Sequence, residues 1–321
     1  MMASRCSRTV LALALLGVAV PAVAATPTAA ATAVASDAPE CQAIQPFYWE
    51  IGDRSGRLAG GTVGGSAPDA DTAMPVASAS KWFYGAYVAE RRKGHLQDAD
   101  IRALTMRSGY VDLQYGACIR LLPKRQQAET VGECLQARRN DAFTAADVGR
   151  FFYNGGHFQR HAAVDLGLGT MNNAALHDEI AREVGNEIVF SYDSPQLAAG
   201  INISAAEYAK FLRKLLRGEL ALAALLGADA VCTNPQTCPG ALSTPVPSTE
   251  SWHYSLAHWI EDDPKLGDGA YSSPGAFGFY PWIDASRTTY GVLARHEVGA
   301  KAYYKSVQCG RKIRKAWLSA R

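Results

Sequence analysis

The order of periodicities along the chain restricts its fold more than any single residue does. The stretch PFYWEIGDRSGRLAGGTVGG, beginning at Pro46, reads as two strands around a turn. Tyr48, Glu50 and Gly52 alternate with Trp49 and Ile51, and DRSG supplies turn residues. A long, largely helical region follows, clearest in TAADVGRFFY, HDEIAREVG and SAAEYAKFLRKLLRGELALAALL. In the last of these Ser204 is an N-cap with Glu207 three residues on, a capping box. Beyond Leu242, after the Pro-rich loop STPVPSTE, strand patterns return in WHYSLAHWIEDD, GAFGFYPWID and TYGVLARHEV. QCGRKIRKAWLSAR reads as a closing helix. The expected fold class is therefore α/β (α+β): an antiparallel sheet flanked by helices, with an all-helical domain inserted. Residues 41–95 and 243–321 are expected to form the α/β domain and residues 96–242 the helical one.

The chain is long enough for a sizeable core, with 321 residues of which 48% are hydrophobic. Its net charge of +2 leaves no electrostatic footprint for nucleic acid. Arg5 and Arg8, the apolar run TVLALALLGVAV, Pro21 and the small residues Ala22-Val23-Ala24 have the layout of a signal peptide over residues 1–25. Cys6 precedes the apolar core, so it is not placed as a lipoprotein cysteine. A periplasmic or secreted location follows, with no stable membrane span after cleavage. Residues 26–40 are Ala/Thr/Pro-rich and read as a flexible spacer. Six cysteines remain after the leader, an even number that suggests disulfides in an exported chain. The expected pairs are Cys118–Cys134 and Cys232–Cys238, each closing a short loop, and Cys41–Cys309, tying the two ends together. No cysteine spacing suits zinc, and no cofactor is implied.

The chemistry concentrates in MPVASASKWFYGAYVAERRKGHLQDADI, from Met74. Ser78 and Lys81 form S-x-x-K at the start of an apolar helix that Gly94 stops. Positions i and i+3 share a helix face, so an amine with a pKa lowered by burial can take the serine proton. Free N–H groups in a first helical turn can stabilise developing negative charge.

The order of motifs resembles the serine β-lactamase and penicillin-recognising family, nearest its class C β-lactamase, DD-peptidase and esterase branch. The Ser78 stretch resembles that branch's nucleophile helix. IRALTMRSGY resembles its LL-T-H-T-S-G-L segment, with Met106-Arg107 in place of His-Thr. GRFFYNGGHFQ resembles the segment carrying the Y-x-N motif, and LAAGINISAAEYAKFLRKLL the A-G-G-x-x-S-T-A segment. YSSPGAFGFYPWID resembles the third motif, H/K-T-G-G on a strand. The resemblance covers roughly Phe47 to the C-terminus. It implies a β-lactamase/transpeptidase-like fold with the site in the cleft between the two domains. It further implies Ser78 as nucleophile, Lys81 as base, Tyr153 in proton transfer, Asn154 on the substrate amide, and Ser273, Gly275 and Ala276 along the substrate strand. The Ala276 N–H would be the second oxyanion donor beside that of Ser78.

Two departures qualify the resemblance. Phe152-Tyr153-Asn154 breaks the Y-x-N spacing, so Tyr153, Phe152 and Tyr192 compete for the tyrosine position. Ser273-Pro274-Gly275 lacks the usual basic residue, which argues against an efficient β-lactamase. Arg107 and Arg295 are the candidate replacements. The expected activity is that of an acyl-enzyme hydrolase on an ester or amide in a small-molecule or peptide-like substrate. The alternative is a non-catalytic binding or structural descendant of the same fold. His157 and His161 form H-x-x-x-H without a following Glu and read as packing or hydrogen-bonding residues rather than as a metal site. Trp252, Trp259, Phe277, Phe279, Tyr280 and Trp282 read mainly as strand residues under helices. The oligomeric state is left open.

Overall fold

The structure is a computed structural model that describes residues 25–118 and 128–321. The expected signal peptide, including Arg5, Cys6, Arg8 and the 22–24 cleavage stretch, lies outside the described residues except for Ala25. In chain order the helices are α1 (Pro27–Asp37), α2 (Pro39–Gln42), α3 (Ser80–Arg91), α4 (Asp98–Leu104), α5 (Val131–Gln136), α6 (Gly156–Arg160), α7 (Asn173–Val184), α8 (Ala205–Arg217) and α9 (Ala302–Ser319). The strands are β1 (Phe47–Asp53), β2 (Arg57–Val63), β3 (Met74–Pro75), β4 (Phe151–Phe152), β5 (Phe190–Tyr192), β6 (Ile201–Ile203), β7 (Val231–Cys232), β8 (Ala241–Ser243), β9 (His253–Ser255), β10 (His258–Glu261), β11 (Ala270–Ser272), β12 (Tyr280–Ile283) and β13 (Thr289–Ala294).

The main sheet has eight strands in the order β2-β1-β13-β12-β11-β10-β9-β7. All its pairings are antiparallel. The N-terminal hairpin joins the sheet through β1 and β13, so strands from the two ends of the chain pair near one edge of it. At the hairpin turn Asp53 Oδ1 accepts from the Ser55 N–H at 2.7 Å. β12 and β13 are buried along their whole length, which requires a helix on each face. Tyr290 turns toward α8, where Arg213 donates to its hydroxyl at 2.9 Å. The next residue, Gly291, points the other way with Trp282, toward α9. On that side Arg311 and Arg314 of α9 pair with buried Glu250 and Glu261 and half-buried Asp268.

Several segments differ from the sequence expectation. Residues 26–40 are not a flexible spacer. Alanine has the strongest intrinsic helix preference, and the stretch carries a complete start signal. Thr26 Oγ1 accepts the Ala29 N–H at 3.3 Å, and Pro27 occupies the first turn. Ala31 and Ala35, one turn apart, are fully buried where α1 meets α9 and β2. TAADVGRFFY is not a helix: a single 3-10 turn over Ala145–Asp147 ends before Gly149, whose φ of 83° breaks the run, and β4 follows. In GAFGFYPWID only Tyr280–Ile283 is strand; Gly275 to Gly278 form a turn. Between residues 96 and 242 the chain also contributes β7 to the main sheet and lays α8 across β1, β12 and β13. The Ser204 cap of α8 is present, with its Oγ accepting the Glu207 N–H at 3.3 Å. The Glu207 side chain does not return to it but accepts the Val189 N–H at 2.8 Å.

The three disulfides are Cys41–Cys309, Cys118–Cys134 and Cys232–Cys238, the pairs expected from the sequence. Among the described residues no helix is long and apolar enough to cross a membrane. Cys41–Cys309 closes a loop of 268 residues and fastens α2 to α9. Replacing both cysteines by serine is expected to lower unfolding free energy by about 4 kcal/mol, read as a reduced urea midpoint, with a steeper slope as the unfolded chain loses its cross-link.

Candidate active site

Ser78 lies in a single 3-10 turn, Ala77–Ala79, that runs directly into α3. Ala77 has φ 45°, an uncommon conformation for a residue with a side chain, which the surroundings must hold in place. They do so from three sides. The Val76 N–H donates to Ile201 O at 3.0 Å, and the Tyr208 hydroxyl donates to Ala79 O at 2.9 Å. Ser80 Oγ accepts the Ile201 N–H at 3.1 Å, so the second serine of the motif is structural. The Ser273 hydroxyl donates to Ser78 O at 3.1 Å.

One turn on from Ser78, at the start of α3, the Lys81 amine donates to Ser78 Oγ and to Ala198 O, both at 2.9 Å. Lys81 is 1% exposed and has no carboxylate partner among the described residues. Burial therefore disfavours its charge and lowers its pKa from 10.5 to about 7. Its Nζ also lies 4.9 Å from the centre of the Tyr153 ring. Burial pushes the Tyr153 phenol up, while the Ser78 hydroxyl and the Trp259 side chain draw it partly back. Tyr153, Ser78 and Trp259 line one pocket.

Tyr153 and Asn154 are adjacent, and extended neighbours point to opposite faces. Tyr153 faces the pocket. Asn154 Oδ1 accepts the N–H groups of Leu113 at 3.0 Å and Gly156 at 2.8 Å, on the other side of the chain. Tyr192 is buried in β5 against Phe190 and does not line the pocket; Phe152 is committed to β4. The structure thus brings Ser78, Lys81 and Tyr153 together and turns Asn154 away.

The third-motif segment closes the pocket from the sheet side. Gly275 packs so tightly that a Cβ there would overlap the Val76 carbonyl oxygen, and its N–H donates to Phe279 O at 2.7 Å. Ala276 is exposed on the pocket rim beside Pro274. Among the described residues the N–H groups of Ser78 and Ala276 have no protein acceptor. The pocket measures about 130 Å³, and Trp252, Pro245, Val246 and Tyr303 complete its wall.

Neither candidate cation reaches it. Arg107 donates to Thr105 Oγ1 at 2.9 Å. Arg295 donates to Ile44 O at 2.9 Å, pairs with Glu297 and lines a separate, larger groove of about 760 Å³. His157 is buried between Ser108 and Phe152 O, and burial lowers its pKa to about 4. His161 bridges Tyr84, one turn beyond Lys81 on α3, to Asp100 at 2.7 and 2.8 Å. Sequence reasoning passed over Ala198, whose carbonyl holds the amine, and Val246; a backbone acceptor and a loop valine carry no motif.

No family model matches the sequence, and the comparison with curated proteins gives no match. Solved structures do match. A D-amino acid amidase from Ochrobactrum anthropi has a TM-score of 0.64 at 10% identity, covering 90% of this chain and 98% of its own. A penicillin-binding protein homologue from Caulobacter crescentus has 0.64 at 10%, covering 92% and 98%. Simvastatin synthase from Aspergillus terreus has 0.61 at 14%, covering 91% and 98%. The chain has the fold of the serine β-lactamase and penicillin-binding-protein superfamily. Within that fold, Ser78 stands in the turn before α3 and Lys81 in the first turn of α3.

A lysine lowered by burial binds fewer protons folded than unfolded between pH 7 and 10.5. Its cost to stability is full below pH 7 and fades as pH approaches 10.5. Lys81→Met removes this cost. Denaturant melts are expected to show its stability relative to wild type improving as pH is lowered from 10.5 to 7. A difference that does not change with pH contradicts a depressed amine.

Proposed function

We propose that the protein is a serine hydrolase that forms an acyl-enzyme on Ser78 and cleaves an ester or amide. The observation carrying this reading is the Lys81 amine, 2.9 Å from Ser78 Oγ and near neutrality at physiological pH. In the first half-reaction Ser78 Oγ bonds to the carbonyl carbon as its proton passes to Lys81 Nζ. The N–H groups of Ser78 and Ala276 receive the oxyanion. The carbonyl–leaving-group bond then breaks, and the leaving oxygen or nitrogen takes the proton from the Lys81–Tyr153 pair. Water repeats the sequence on the acyl-enzyme, returning the proton to Ser78.

The names of two structural neighbours, an amidase and a penicillin-binding protein homologue, fit this chemistry. The missing basic residue at Ser273-Pro274-Gly275 favours substrates without the carboxylate of penicillins. Three disulfides support a periplasmic or secreted location.

Incubation with a fluorophosphonate is expected to add one phosphonyl group to wild type and none to Ser78→Ala, read by intact mass. Ester hydrolysis by Ser78→Ala is expected to fall by at least about 1,000-fold. Tyr153→Phe is expected to keep labelling but lose about 100-fold in kcat. Unchanged hydrolysis by Ser78→Ala contradicts the proposal and favours a non-catalytic descendant of the fold.

A further inference from the structure

We propose that the pocket beside Ser78 is an acyl site for a short, uncharged, apolar group, with Val246 setting its length limit. The inference rests on Ser78 being the nucleophile. The acyl group stays bonded to Ser78 Oγ after the leaving group departs, so it must find room against the wall Ser78 itself forms. That room is about 130 Å³. An apolar protein cavity of about 150 Å³ holds a benzene molecule, so the pocket accepts an acyl chain of about four carbons and not one twice as long.

Its chemistry excludes charge. The walls are Trp252, Trp259, Tyr303, Pro245, Val246 and Pro274, with no acid or base among them. A carboxylate entering this pocket would lose its water and meet no cation except the amine that must accept the Ser78 proton. Arg107 and Arg295 are engaged elsewhere.

The aromatic side of the wall cannot readily widen. Trp252 donates from its indole N–H to Glu250 Oε2 at 2.7 Å and lies under Arg311, whose guanidinium is 5.6 Å from the ring. Trp259 packs edge-on against Trp252 and Tyr254, at 5.8 and 4.7 Å between ring centres. The Tyr303 hydroxyl donates to Pro245 O. Of the aliphatic lining residues, Pro245 and Pro274 are fixed rings and Ala276 is a single methyl at the rim; Val246 is a branched side chain on a loop, its N–H donating to Thr244 Oγ1 at 3.2 Å. Its size is thus the adjustable dimension.

The test uses the mature protein, with p-nitrophenyl acetate, butyrate, octanoate and hemisuccinate as substrates. For wild type, kcat/KM is expected to be highest for acetate and butyrate. Octanoate and hemisuccinate are expected to be at least about tenfold poorer, the loss that one misfit methylene produces in an apolar pocket. Val246→Phe is expected to lose butyrate by about tenfold relative to acetate, and Val246→Ala to gain octanoate relative to butyrate. Melting temperatures establish that each variant is folded, and Val246→Ala serves alone if Val246→Phe is not. Equal rates across chain length, a preference for hemisuccinate, or variants that scale all substrates alike overturn the acyl site. So does a Val246 effect that follows the alcohol of a series of acetate esters instead of the acyl chain. Fluorophosphonate labelling separates the two levels: a Ser78 adduct without acyl selectivity defeats only this inference, whereas no adduct defeats the hydrolase reading beneath it.

Discussion

Lys81 carries its amine into the interior, and among the described residues no carboxylate meets it. A buried ammonium is costly, and the protein meets that cost by letting the group approach neutrality rather than by pairing it. The remaining contacts suit an uncharged or fleetingly charged amine: one carbonyl, Ala198 O, one hydroxyl, Ser78 Oγ, and the face of Tyr153. Much of the surrounding structure serves this placement. β6 and α8 lock the turn before α3, and the Tyr84–His161–Asp100 chain ties α3 to α4 and to the residue that follows α6. A shift of α3 would either flood the amine with water or pull it from Ser78.

The departures from the family motifs have a common geometric outcome. With tyrosine and asparagine adjacent, only one can face the cleft, and Tyr153 does. With Ser273-Pro274 replacing a basic residue, the sheet side of the pocket holds no cation. Ser273 instead spends its hydroxyl on the Ser78 carbonyl. The pocket thus lacks two polar groups that the motifs would supply and keeps Lys81 beside Ser78 and Tyr153, within a mainly aromatic and aliphatic wall.

Much of this was legible from residues alone. The alternation around DRSG, the strand patterns beyond Leu242 and the closing helix place the sheet, and S-x-x-K before an apolar helix places Ser78 beside Lys81. What was not legible depended on tertiary contact. α1 has no apolar stripe; its buried face is two alanines, visible only against α9. β7 is two residues long and is defined by its partner β9. The direction of Asn154 follows from which backbone N–H groups fold back toward it, and the loss of any cation from the pocket from where Arg107 and Arg295 end up.

The central claim is that Lys81 is near neutrality in the folded protein. Incorporation of lysine labelled with carbon-13 at Cε, followed by an NMR pH titration with Lys81→Met to assign the resonance, measures this directly. A midpoint near 7 is the expected result. A midpoint near the ordinary 10.5 would contradict the account, since Ser78 would then face a permanently charged ammonium that cannot take its proton.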